Sequence, residues 1–137
     1  MQNPVEIRCG AGSCMLSFAA DGYIYPCDCF VGNQEFIMGN FYESFDQDKL
    51  KVFEDLSVHN RLKCKRCWAR FACGGDCYHN SYLKHGNMKT PDDAYCNIIL
   101  PVIERIIACA NQYQMNNPAG YNAYQNFLHF REKMSLK

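Results

Sequence analysis

The sequence predicts a small α+β domain with an N-terminal β-hairpin, cysteine-rich loops and C-terminal helices. Three observations predict this class: a turn signal between two β-prone runs, a stretch dominated by cysteine and glycine, and an apolar stripe of helical period. With 137 residues, the chain has about the length of one domain. We expect residues 1–111 to form the cysteine-rich domain and residues 112–137 to form a helical extension packed on it.

The hairpin is predicted near the N-terminus. Asp21-Gly22 is a favoured turn dipeptide, and it lies between the β-prone runs Ser17–Ala19 and Tyr23–Tyr25. Pro26 should end the second strand because proline cannot donate a backbone hydrogen bond to a sheet. The prediction therefore places Cys27 at the end of this strand.

Helical segments are predicted on both sides of the cysteine-rich middle. They cover residues 46–59, about 92–112 and 121–134, with short helical turns and loops over 63–86. Asp46 or Asp48 can cap the first helix, which has apolar residues at spacings of three. Pro101 predicts a kink or restart in the second helix, because it removes one backbone donor.

Charge and hydropathy limit the possible partners. The formal net charge is zero, so no overall basic or acidic bias favours nucleic acid or acidic lipid. No apolar run reaches the roughly 18–20 residues that span a bilayer, and the start does not resemble a secretory signal. We expect a cytoplasmic protein with no nucleic-acid or membrane partner. Because only eight residues precede the first cysteine, we also expect an excised domain.

Cysteine is the most informative residue type. The chain has ten: Cys9, Cys14, Cys27, Cys29, Cys64, Cys67, Cys73, Cys77, Cys96 and Cys109. Cytosolic reductants keep thiols reduced, so in a chain without an export signal we interpret them as metal ligands rather than disulfides. A secreted disulfide scaffold is the alternative, but this chain has enough apolar residues for a core of its own. A pair two residues apart, such as Cys64 and Cys67, can close on zinc or on an iron–sulfur cluster.

The cysteine spacing resembles the seven-cysteine signature of the SPASM domain, the C-terminal part of radical-SAM enzymes that mature peptides and proteins. The matching series is Cys9-x12-Gly22-x4-Cys27, then Cys64-x2-Cys67-x5-Cys73-x3-Cys77, then Cys96. The resemblance covers roughly residues 9–100. Within it, the segments 30–36 and 38–40 are similar to maturases that form thioether links in cysteine-rich peptides.

The resemblance implies two 4Fe–4S clusters with crossed ligand sets. Its first set is Cys9, Cys14, Cys27 and Cys77, and its second set is Cys64, Cys67, Cys73 and Cys96. The signature omits Cys14, but a cysteine at this place supplies the fourth ligand in fully ligated members. The resemblance also offers Asp28 as a catalytic base, because an aspartate here is thought to act so in relatives that oxidise a sulfatase cysteine or serine. A turn or capping aspartate is the other interpretation.

The implied function is that of an auxiliary domain. The chain lacks the Cys-x3-Cys-x2-Cys motif that holds the cluster for S-adenosylmethionine cleavage. The resemblance therefore implies a radical-SAM barrel, normally on the same polypeptide, that binds S-adenosylmethionine and generates a radical on a bound peptide. This domain would close the substrate site and accept or relay an electron as a thioether or related crosslink forms.

Three alternatives stay open. A structural zinc module fits either ligand set, since four thiolates also hold tetrahedral zinc. A sulfatase-maturing enzyme domain and an electron-transfer ferredoxin share the clusters with the first hypothesis.

Several residues near the cysteines have interpretations of their own. The cations Lys63, Lys65, Arg66 and Arg70 should stabilise negatively charged clusters, with a nucleic-acid patch as the alternative. Cys29 is interpreted as a small buried residue, with a spare ligand or a substrate-facing thiol as alternatives. Cys109 is expected in the core, on the apolar side of its helix.

Overall fold

A computed structural model describes residue 7 and residues 9–135, with side chains as far as residue 126. The chain divides into two compact units, Met1–Ile99 and Leu100–Lys137. A small antiparallel sheet lies near the N-terminus and helices follow it, so the predicted α+β class is confirmed. The predicted boundary at residue 111 stays a prediction, and both outer ends of the two predicted domains lie outside the described residues.

The sheet contains the predicted hairpin and one further strand. Its strands are β1 (Ser17–Phe18), β2 (Tyr23–Tyr25) and β3 (Gly39–Asn40), antiparallel and in that order. Ser17 lies opposite Tyr25, and the N–H of Ala19 donates to the Tyr23 carbonyl at 2.9 Å, so the connecting loop has three residues, Ala20, Asp21 and Gly22. Gly22 has φ of +86°, which glycine adopts without steric cost. The β2 strand ends directly before Pro26, so the chain leaves the sheet at Cys27.

Short helical elements follow the sheet. The first helix, α1 (Gln47–Glu54), is capped by Asp46, whose Oδ1 accepts hydrogen bonds from the backbone N–H groups of Asp48 and Lys49, both at 3.1 Å. The helix predicted over residues 46–59 therefore exists but ends earlier. Next come α2 (Arg70–Cys73) and α3 (Tyr78–His85), with 3-10 turns at Asp28–Phe30, Gln34–Phe36 and Cys64–Arg66. The predicted short helical turns and loops of the middle stretch are confirmed.

Two longer helices complete the chain, α4 (Asp93–Asn116) and α5 (Pro118–Ser135). The α4 helix continues through Pro101 and does not restart there. On its surface Ile98, Val102 and Ile106 recur every four residues and are between 45% and 69% exposed, so they form an uncovered apolar face. No helix in the described part of the chain is long and apolar enough to cross a membrane.

Cys109 is exposed, so the prediction that it lies in the core is wrong. The buried residue of α4 is Ile103. The two positions differ by six, so at 100° per residue they lie about 120° apart around the helix axis. Cys109 therefore lies at the edge of the apolar stripe, away from the buried side of the helix.

The core of the first unit surrounds the end of β2. Phe30 packs its ring against Phe36 at 4.2 Å, His79 at 5.0 Å and Phe53 at 6.1 Å between ring centroids. Cys27 belongs to the same buried cluster. The core therefore holds the N-terminal hairpin, α1 and α3 around one of the predicted ligands.

Candidate metal centre

The thiols of the predicted second set affect one another's pKa values. Burial raises the pKa of Cys64; Arg61 lowers it, and the thiols of Cys73 and Cys67 raise it. Burial also raises the pKa of Cys96, and Cys64 and Cys73 raise it further. Thiols from the 3-10 turn, from α2 and from the first turn of α4 therefore lie close enough to interact. Their role as ligands stays a prediction.

A turn of two glycines connects this group to the next cysteine. Gly74 and Gly75 have φ of +70° and +95°, conformations that favour glycine. A Cβ added at Gly75 would lie 2.6 Å from the Nη1 atom of Arg61. The glycine pair thus lets the chain pass from Cys73 to Cys77 directly against a buried arginine.

The segments of the predicted first set meet at the core. Cys27 is buried, and its backbone carbonyl accepts a hydrogen bond from the N–H of Phe30 at 3.1 Å. Burial is the main cause that raises the pKa of Cys27 to about 11. Cys9 is partly buried and packs against the same core.

The two other members of the first set are exposed. Cys14 lies in the tight turn after Cys9, with its Sγ atom against Gly10, where a Cβ would be 2.5 Å away. Cys77 directly precedes Tyr78, whose side chain belongs to the core. The N–H of Gly12 donates to the carbonyl of Pro26 at 3.0 Å, so the first turn lies beside the end of β2. The structure brings the segments together, and ligation by these four thiols stays a prediction.

Cys27, Asp28 and Cys29 form a compact group of donor atoms. Among the described residues, this is the group of three or more His, Cys, Asp or Glu whose ligand atoms all lie within 4.8 Å of one another. Asp28 and Cys29 are exposed, so the prediction of a buried Cys29 is wrong. A 3-10 turn has three residues per turn, which puts Cys27 and Phe30 on the inner side and the two residues between them outside. The role of Asp28 as a base stays a prediction.

Arg61 is a buried cation that the sequence did not single out. It is 0% exposed, and its guanidinium lies 5.4 Å from the centre of the Tyr78 ring. Its Nη1 donates to the Asp76 carbonyl at 2.6 Å and its Nη2 donates to the Ser81 hydroxyl at 2.5 Å. The predicted basic cluster was placed on the cysteine-flanking residues, of which Lys63, Lys65 and Arg66 are exposed. A charge acts more strongly on its neighbours when it is buried, and nothing in the sequence around residue 61 indicates that this arginine is buried.

Asp76 is a second buried charge that the sequence did not indicate. It is 1% exposed, and its Oδ1 accepts from the backbone N–H of Cys77 at 2.7 Å. Its Oδ2 accepts from the Asn80 side chain at 3.0 Å, the Asp92 N–H at 3.1 Å and the Ser81 hydroxyl at 3.4 Å. One carboxylate therefore connects the glycine turn, α3 and the approach to α4.

The donor chemistry fits a thiolate-ligated metal centre. Thiolates are soft ligands that select iron–sulfur clusters and zinc. Among the described side chains, the buried polar atoms without a hydrogen-bond partner are the Nε groups of Arg61 and Arg70. Both arginines lie beside the predicted second set, and Arg70 donates to the Cys67 carbonyl at 3.4 Å. Cluster sulfurs accept such hydrogen bonds, so the residues present suit a cluster.

A cavity of about 340 Å³ lies apart from the thiols. Phe36, Met38 and Leu56 form part of its apolar lining, and no cysteine lines it. On its polar side the Tyr82 hydroxyl donates to Glu35 at 2.6 Å. This size and lining are typical of sites for small apolar groups.

Comparison with known proteins relates the chain to a maturase. No family model matches it. A cysteine-type anaerobic sulfatase-maturating enzyme of Clostridium novyi is 31% identical over 104 residues, which are 72% of this chain and 27% of that protein. An uncharacterized protein of Archaeoglobus fulgidus is 34% identical over 94 residues, 64% of this chain and 22% of that protein. The chain therefore spans about a quarter of the length of each relative. The first similarity supports a region like those of radical-SAM maturases, and the SPASM assignment stays a prediction.

Proposed function

We propose that this chain is an auxiliary domain of a radical-SAM enzyme that modifies a peptide, and that it holds two 4Fe–4S clusters. The proposal is carried by the effects of the second-set thiols on one another: Cys67 and Cys73 raise the pKa of Cys64, and Cys64 and Cys73 raise that of Cys96. The four residues come from three separate elements. The partial similarity to a sulfatase-maturating enzyme supports the same conclusion. Such clusters, when bound, supply one-electron transfer.

The chain's own residues prepare both sites. Asp76 fixes the backbone at Cys77 and at Asp92, four residues before Cys96. Tyr95 lies with its hydroxyl 3.9 Å from the Sγ of Cys73. Phe30 and its aromatic neighbours exclude water on the inner side of Cys27. All eight thiols must lose their protons to bind metal, so the nearby cations favour loading.

The partner in this proposal is a radical-SAM barrel on the same polypeptide, which supplies S-adenosylmethionine cleavage. The substrate is a peptide, and segments 30–36 and 38–40 favour a thioether or related crosslink as the product. A reducing cytoplasm suits ten free thiols.

Maturation of a sulfatase is the second candidate. The name of the Clostridium novyi relative favours it, and so does the exposed carboxylate of Asp28 beside Cys27. The full-length enzyme should be incubated with a cysteine-containing sulfatase peptide and, separately, with a cysteine-rich peptide. The peptide whose mass changes under turnover identifies the substrate class.

The first experiment is a determination of iron, sulfide and zinc in the chain after anaerobic purification and reconstitution. We expect about eight irons and eight sulfides per chain, as two four-iron clusters require. Cys96→Ala and Cys77→Ala should each remove about half of both, because each variant disables one set. Cys109→Ala, at an exposed position on α4, is the matched control and should change neither.

The same determination can also contradict the proposal. One or two zincs with no labile sulfide, despite excess iron and sulfide, would overturn the cluster proposal. A structural zinc module would then account for the thiols.

A further inference from the structure

Arg61 lies between the two predicted ligand sets. It precedes Cys64 of the second set by three residues, and its carbonyl accepts from the N–H of Lys65 at 3.2 Å, so the Cys64 turn folds back on it. Its Nη1 binds the carbonyl of Asp76, the residue before Cys77 of the first set. With 0% exposure, this cation has no access to screening by water.

One donor of Arg61 has no acceptor among the described residues. Nη1 and Nη2 have partners, whereas the Nε–H group is buried without one. A buried unsatisfied donor costs about 1–3 kcal/mol, so a retained one needs an explanation. Cys64, three residues further along the chain, belongs to the predicted second set, and the thiolates or sulfides of a bound cluster are acceptors of this kind.

Asp76 is the opposing buried charge near Arg61. The two charges are linked through the Ser81 hydroxyl, and four donors already satisfy the Asp76 carboxylate. The Asp76 carboxylate is thus engaged by the segments of Cys77, α3 and Asp92, whereas the Nε–H of Arg61 has no acceptor among the described residues.

We propose that Arg61 is the buried counter-charge and Nε–H donor of the second cluster, and that it raises the reduction potential of that cluster relative to the first. The proposal rests on the proposed function. Reduction adds one electron to the cluster, with no bond formed or broken, and the product carries one more negative charge. A fixed buried cation stabilises this product more than the oxidised state, because the low local dielectric strengthens the attraction.

The test is an anaerobic redox titration of the reconstituted chain, with dithionite as reductant and electron paramagnetic resonance as readout. The signal that Cys96→Ala removes identifies the second cluster. Arg61→Met should shift the midpoint potential of this cluster to more negative values by at least about 59 mV, a tenfold change in the one-electron equilibrium. Arg61→Lys keeps the charge and should restore most of the wild-type value.

Arg66→Met is the matched control. It removes a cation at the exposed position next to Cys67, where water screens it, and it should shift the potential by less than Arg61→Met. Equal shifts in the two variants, or no shift in Arg61→Met, would overturn the inference while leaving the clusters and the proposed function intact. A wild-type chain without iron would instead overturn the proposed function.

Arg61→Met can fail to assemble because it also removes two buried hydrogen bonds. In that case Arg61→Lys distinguishes a role of the charge from a role of the hydrogen bonds, since lysine retains the positive charge but lacks the planar guanidinium group. Cluster assembly and a near wild-type potential in Arg61→Lys support the counter-charge. Loss of the second cluster in both variants would assign Arg61 a purely structural role and overturn the inference.

Discussion

Asp76 accepts hydrogen bonds from four groups on three segments, so its replacement tests how the metal centre is held. Asp76→Ala would leave the partly buried N–H groups of Cys77 and Asp92 without their acceptor and would remove the carboxylate that Ser81 links to Arg61. We expect the free energy of unfolding to fall by about 1–3 kcal/mol or more, the usual cost of leaving a buried hydrogen-bonding group unsatisfied. Denaturant unfolding at fixed metal content measures it.

Asp48→Ala is the control for this prediction. Asp48 pairs with Lys51 at 2.9 Å, but both side chains are largely exposed, so its loss should hardly change stability. Equal effects at the two positions would contradict the role given to Asp76.

Cys27 and Cys29 should differ in reactivity in the cluster-free chain. The thiolate is the reactive form, and burial raises the pKa of Cys27 to about 11, whereas Cys29 is exposed. We expect iodoacetamide at pH 8 to label Cys29 well before Cys27, as peptide mass spectrometry can follow. In denaturant the two rates should become similar. Equal rates in the folded chain would show that Cys27 is not protected.

Among the helices, α1 offers the clearest test of a single element. Asp46 satisfies two backbone donors at its start, so Asp46→Ala should cost about 1 kcal/mol of folding free energy. Asp46→Asn retains a capping oxygen and should cost much less. Urea unfolding of both variants gives the difference, and a neutral Asp46→Ala would mean that packing, not the cap, sets where α1 begins.

Local elements could be predicted from the sequence, and non-local ones could not. The hairpin and the Asp46 cap depend on residues within a few positions of each other, and both predictions are confirmed. The β3 strand is two residues long and exists through its pairing with β2, fifteen residues away at Ile24 and Gly39. No run of two residues signals a strand by itself.

The same distinction applies to the site. Cysteine spacing could predict candidate ligand sets, because residue type determines which side chains can bind metal, and these sets stay predictions. Residue type does not determine burial, so the exposure of Cys29 and Cys109 was predicted wrongly and Arg61 was not recognised at all. An exposed basic residue next to a cysteine in sequence, such as Arg66, should have a weaker electrostatic effect on the thiols than a basic residue that the fold buries.

At the scale of the whole molecule, alkaline pH should weaken the cluster-free chain. Burial raises the pKa of Tyr78 from 10.0 to about 12 and that of Cys27 from 9.0 to about 11. The unfolded chain therefore releases these protons first, so stability is complete below pH 9 and falls as pH rises towards 12. Tyr78→Phe should make the fall between pH 10 and 12 less steep, while Tyr42→Phe, at an exposed position, should not. Identical slopes in both variants would contradict the prediction.

Metal removal should loosen the first unit more than any single substitution. Its strands have two or three residues and its longest complete helices, α1 and α3, have eight, below the length at which isolated helices are stable. We expect oxidative removal of the clusters to increase backbone amide exchange over residues 9–99 and to lower the melting temperature. Unchanged exchange would mean that the aromatic core is sufficient without metal.

The uncovered face of α4 has a practical consequence for anyone who handles this chain. Ile98, Val102 and Ile106 present a row of branched aliphatic groups to water. Sulfate salts strengthen the attraction between such surfaces, so the chain should bind a phenyl resin in ammonium sulfate and elute late as the salt is withdrawn. Concentrated stocks should scatter light more in sulfate buffers than in chloride, and Ile106→Lys should clear them.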